Sequence, residues 1–153
     1  MRYKGGVRFV AYAALLALCL ALTGCSGETE PTWGGPPDPG TDGIVAVDDF
    51  AEHQRSVEES WEGSAAMAAA EFLRLDERTA VRTSIEGRAS AEGTGPETVV
   101  VTLDGLLDDS VRAERWTLEL APNGESYTLT AAQWAQRCQP GRGHQGYTPE
   151  PCI

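Results

Sequence analysis

Apolar and polar positions follow several different patterns along this 153-residue chain. Phe9 to Leu22 is an uninterrupted uncharged run of 14 residues, preceded by Arg2, Lys4 and Arg8 with no acid. A basic flank and an apolar run of that length predict an export signal, too short to span a bilayer comfortably. Residues 26–43 then have nine Gly or Pro in 18 positions and only Trp33 as a bulky apolar side chain. That composition predicts a flexible tether with an r.m.s. span of about 25 Å. From 48 to 62 the period is helical, with Phe50, Val57 and Trp61 on one stripe and an Asp49–Glu52 capping-box pattern. Ser64 is placed to cap a second helix running to about Leu75, with Met67, Ala68, Phe72 and Leu75 inward.

The period becomes two at Ala80. Val81, Thr83 and Ile85 alternate with Arg82, Ser84 and Glu86, and a Gly-rich turn at Glu92–Pro96 leads into the strand Thr98–Leu103. Trp116, Leu118 and Leu120 form a third strand. A turn at Pro122-Asn123-Gly124 leads to a fourth, through Tyr127, Leu129 and Ala131 to near Trp134. The expected fold is α+β: N-terminal helices packed on a roughly four-stranded antiparallel sheet, followed by a C-terminal loop closed by a disulfide.

Leu22-Thr23-Gly24-Cys25 resembles the lipobox of bacterial lipoproteins, a branched apolar residue and two small ones before a Cys. Small residues let the backbone lie extended in a peptidase groove, and the Cys25 thiolate is the nucleophile that takes a diacylglyceryl group. The resemblance implies removal of residues 1–24 and a lipidated Cys25. A tether over 25–43 and one globular domain over 44–153 would follow, held at the extracytoplasmic face of the cell membrane. Two acyl chains suffice for stable anchoring.

Loss of 1–24 removes three cations and no acid, leaving nine Arg, no Lys and 23 acids, a net charge of −14. Such a balance excludes nucleic acid and anionic lipid as partners of a basic patch. Lysine-free sequence rich in Ala, Gly and Arg fits the coding bias of a GC-rich, actinobacterial source. Of four cysteines, Cys19 leaves with the signal and Cys25 takes lipid. Cys138 and Cys152 remain as the one available pair, their loop contributing about 3 kcal/mol on the chain-entropy view.

Chemistry-bearing side chains gather in two places. Asp104 to Arg115, expected as a link between strands, holds Asp108, Asp109 and Ser110 beside Arg112 and Arg115. Its spacing fits a turn in which Asp bonds backbone N–H groups, and no EF-hand. Arg137 to Cys152 holds Arg142 and His144. Cys138, His144 and Cys152 are three zinc-type ligands without a CxxC pair or a fourth member, and neither cluster contains a G-x-S-x-G nucleophile turn. LLDDSVRAERWTLEL and WAQRCQPGRGHQGYTPEPC also resemble an uncharacterised family of small exported bacterial proteins with DDS…R and C…GRGHQ…C segments. That resemblance covers Leu106 to Cys152. It implies a shared structural or binding feature formed by Asp108, Asp109, Ser110, Arg115, Arg142, Gly143 and His144, and it brings no known activity.

The expected function is a membrane-anchored, non-catalytic module binding an envelope protein or small ligand, with no catalytic residue, metal or cofactor assigned. Two rivals stand beside it: a small metal-dependent or acid/base hydrolase using Asp108, Asp109 and His144, and a purely structural envelope protein.

Overall fold

The structure, a computed structural model, describes residues 32–57, 59–89 and 95–153. The expected export signal, the expected lipidation site Cys25 and most of the turn expected at Glu92–Pro96 lie outside the described residues. Among the described residues no helix is long and apolar enough to cross a membrane.

Five strands form one open antiparallel sheet: β1 (Ile44–Val45), β2 (Ala80–Arg88), β3 (Glu97–Leu106), β4 (Val111–Asn123) and β5 (Ser126–Cys138). The order across it is β1-β5-β4-β3-β2. Strands β2 to β5 are a meander, and β1 adds to the free edge of β5 through Ile44 opposite Gln133 and Val45 opposite Ala132. The expectation of four strands preceded by helices is thus corrected, since one short strand comes before both helices. Two residues are too few to show a period of two. They pair because Gly43, at φ +78°, brings its carbonyl 2.8 Å from the Trp134 N–H. A Cβ at position 43 would sit 2.5 Å from the Trp134 carbonyl oxygen, so only glycine fits there.

Helix α1 (Asp48–Ser56) and helix α2 (Ala65–Phe72) cover one face of the sheet, joined by a 3₁₀ turn at Ser60–Gly63. The expected continuous helix 48–62 is broken, with Val57 extended. Eleven residues of helix would separate Phe50 from Trp61 by about 16 Å, yet their rings stack with centroids 5.8 Å apart. Stacking Trp61 on the buried Phe50 requires the break. Helix α1 begins at Asp48 with no side-chain cap. Asp48 and Asp49 lie in its first turn, where they complement the helix dipole. The capping box belongs instead to the 3₁₀ turn, between Glu59 and Glu62. Ser64 precedes α2 without bonding it through its side chain, and Met67, expected inward, is 55% exposed.

Trp33 overturns the reading of its segment as free linker. Its ring packs edge-on against Phe50 at 5.0 Å and stacks with Phe72 at 6.0 Å. Its Nε1 donates to the Phe72 carbonyl at 2.8 Å, and Arg74 donates to the Trp33 carbonyl. The folded body therefore takes in Trp33. His53, expected on the polar side of α1, lies half-buried between Trp33 and Trp61 at 6.2 and 6.3 Å.

Beneath the helices the sheet contributes Val99 and Val101 from β3, Trp116, Leu118 and Leu120 from β4, and Leu129 and Ala132 from β5. Ala132 takes the place expected of Ala131 because the pairing slips between Glu119–Ala131 and Leu120–Leu129. The extra residue, Thr130, bonds the Glu119 carbonyl at 3.0 Å, and the bulge shifts the phase of everything after it. Helix α1 also completes the β5 edge that β1 leaves bare. The buried Gln54 amide donates to the Tyr127 carbonyl at 2.8 Å and accepts from the Leu129 N–H at 3.0 Å.

Candidate functional site

The helices leave the opposite face of the sheet uncovered, and strand register places its side chains in four rows. They are Arg82–Asp104–Ala113–Arg137, Ser84–Thr102–Arg115–Ala135, Glu86–Val100–Thr117–Gln133 and Arg88–Thr98–Glu119–Ala131. Alternation along each strand dictates this, since Val99, Val101, Leu118 and Trp116 occupy the other phase. Four of the nine arginines that follow residue 24 stand on this one face of an acidic chain. Arg112 joins them by reaching back from the bulge at the start of β4 to Asp104, 3.5 Å away.

These cations divide into two kinds. Arg137 bonds Asp104 at 2.9 Å. Arg115 has no carboxylate partner among the described residues, and its guanidinium lies 3.8 Å from the ring centroid of Tyr147. Arg82 and Arg88 have no ion-pair partner among the described residues either. Between Arg88 and Arg115 lies a depression of about 420 Å³, lined also by Glu86, Thr98, Val100, Thr102 and Thr117. Thr98 and Thr102 are four residues apart, so the depression runs about 13 Å along β3. It offers two guanidinium groups, three hydroxyls and one carboxylate to whatever lies across it.

The C-terminal loop borders this face. Cys138 and Cys152 form the expected disulfide, with Cα atoms 5.5 Å apart. Thr148 pairs with Gln136 beside β5, a position that puts neighbouring Tyr147 over Arg115 and within 5.5 Å of Arg137. Gly143 adopts φ +131°, and a Cβ there would sit 2.9 Å from the Cys138 sulfur, so the bridge packs onto bare backbone. Tyr147 was not singled out by sequence. An aromatic in a loop without period carries no local signal, and only the disulfide-held path brings it to the sheet.

The expected cluster Asp104–Arg115 is mostly strand; the link itself is only Leu107–Ser110. Asp108 closes that turn. One of its carboxylate oxygens accepts from the Val111 N–H at 2.6 Å, the Ser110 N–H at 2.8 Å and the Ser110 hydroxyl at 3.1 Å. These bonds, Val111 foremost, with Arg142 nearby, hold the Asp108 carboxyl below its ordinary range. The two clusters do meet: the Gln139 N–H donates to the Ser110 carbonyl at 2.7 Å and its amide to the Asp108 carbonyl at 3.3 Å. Asp109 is exposed, and among the described residues it bonds to neither cluster.

His144 is half-buried against the disulfide, its Nε2 3.3 Å from the Cys138 sulfur. Its Nδ1 lies 2.9 Å from the Gly146 carbonyl oxygen and its Nε2 2.8 Å from that of Glu150. Both ring nitrogens are thus turned toward backbone acceptors. The ligand atoms of Cys138, His144 and Cys152 all fall within 4.8 Å of one another. Zinc binds thiolates, and both sulfurs here are joined in the S–S bond. Asp108 and His144 are occupied in holding loops, while Arg88, Arg115 and the threonines are presented outward. Comparison of the chain with protein-family models, curated proteins and solved structures finds no match.

Proposed function

We propose that this protein is a lipid-anchored, non-catalytic binding module of a bacterial cell envelope, tethered through Cys25, whose ligand lies across the open sheet face. One observation carries the reading. In a chain of net charge −11, Arg88 and Arg115 stand at the two ends of a hydroxyl-lined depression with no carboxylate partner among the described residues. The ligand class is an extended envelope component carrying anionic groups spaced about 13 Å apart along the strands. Three threonine hydroxyls supply neutral hydrogen bonds between the two cations. The bonding of Asp108 and His144 supports a non-catalytic role, because a general acid or base must be free to reach substrate.

The test is a crosslinked pull-down from native envelopes using the wild-type chain, Cys25→Ala and the Arg88→Ala/Arg115→Ala double variant. A component captured by wild type and lost from the double variant or at high salt is the expected result. Capture that ignores both changes would refute the sheet face as the binding surface. Release of Cys25→Ala from the membrane fraction is expected separately, and its full retention would refute the anchor.

A further inference from the structure

Strand β2 is the other edge of the sheet. It is paired to β3 on one side, and its outer backbone has no partner among the described residues. Unpaired edges of this length invite another strand, and natural sheets commonly block them with charge. Here the blocking charges are Arg82, Glu86 and Arg88, and none has an ion-pair partner among the described residues. Their order is self-complementary.

We propose that β2 pairs with β2 of a second copy of this chain, antiparallel about a two-fold axis at Ser84, joining two sheets into one of ten strands. Ser84 is the midpoint of Ala80–Arg88, so this register alone pairs all nine residues. The same register sets Arg82 of each copy opposite Glu86 of the other, giving two cross-strand ion pairs on the open face. On the helix side Thr83 meets Ile85 and Val81 meets Gly87. Val81 is 84% and Ile85 41% exposed in the single chain. Position 87 has open space around its missing Cβ, which leaves room for the facing Val81. The interface is isologous, as a closed dimer requires. It extends the ligand-binding reading without depending on it.

Charge exchange on the full-length chain, followed by native mass spectrometry, tests the proposal. Wild type is expected as a dimer. Arg82→Glu alone and Glu86→Arg alone each turn two attractive pairs into repulsive ones, which weakens dimerisation about tenfold. Mixing the two variants restores both pairs, so a heterodimer of intermediate mass is expected to dominate. A monomeric wild type would overturn the proposal, as would a dimer indifferent to either substitution or a mixture without heterodimer. Ser84→Cys provides a second measurement. Residues facing across an antiparallel pair lie about 4.5–5.5 Å apart at Cα, within disulfide reach. A covalent dimer on oxidation is expected, and its absence would equally overturn the register.

Discussion

Replacing Gln54 by Leu isolates one decision of this fold, the use of a side-chain amide as a substitute strand. Gln54 is 6% exposed, and its two hydrogen bonds satisfy the Tyr127 carbonyl and the Leu129 N–H on the stretch of β5 that β1 does not reach. Leu is close in volume, so no cavity term enters. The change leaves one buried donor and one acceptor unpaired, at about 1–3 kcal/mol each. Burial of the new apolar carbons returns about 1 kcal/mol. The expected net loss is about 1–5 kcal/mol, a large fraction of the stability of a domain this size. Urea unfolding followed by tryptophan fluorescence reads it as a lower midpoint at unchanged slope. Gln54→Glu keeps an acceptor for Leu129 but sets a carboxylate against the Tyr127 carbonyl, so it should also destabilise. Glu52→Leu, an exposed change on the same helix, should move the midpoint little. A Gln54→Leu chain within about 0.5 kcal/mol of wild type would refute the substitute-strand account.

Reduction of Cys138–Cys152, separated by 14 positions, should lower stability by about 3 kcal/mol. An unchanged thermal midpoint under dithiol would contradict a bridge that holds the loop. The Asp108 carboxyl is held low in the folded chain, chiefly by the Val111 and Ser110 N–H groups. Its contribution is therefore complete above the unfolded value of about 3.9 and is lost as pH falls below it. Asp108→Asn keeps an acceptor oxygen without the titration, so its stability should fall less steeply than wild type as pH drops below about 4; superimposable pH curves would refute that assignment.

Much of this architecture is legible from local spacing. Strands β2 to β5 follow from alternation, because Thr98–Leu103 and Trp116–Leu120 each put one phase in the core. Pairing of Cys138 with Cys152 follows by elimination. The helical character of 48–56 and 65–72 follows from period, although its interruption at Val57 does not. That break exists because Trp61 and Trp33 pack against the buried Phe50, a condition no single segment contains.

The candidate site divides in the same way. Sequence located Asp108, Asp109, Ser110, Arg115, Arg142 and His144 as chemistry-bearing, and the structure gives Asp108 and His144 to loop closure and leaves Asp109 exposed. Arg88, Thr98, Thr102, Thr117 and Tyr147 become one surface only through pairing register and the disulfide-held path of the loop. The sequence by itself determined the periods, the acidic charge and the available cysteine pair, because each is a property of neighbouring residues or of composition. Tertiary structure alone decided that Trp33 belongs to the core, that Gln54 finishes a strand edge and that scattered arginines share one face. These depend on residues 39 to 75 positions apart, or on whole strands, meeting in space. Contacts of that kind are selected by burial and hydrogen-bond satisfaction over the whole domain rather than by any local pattern.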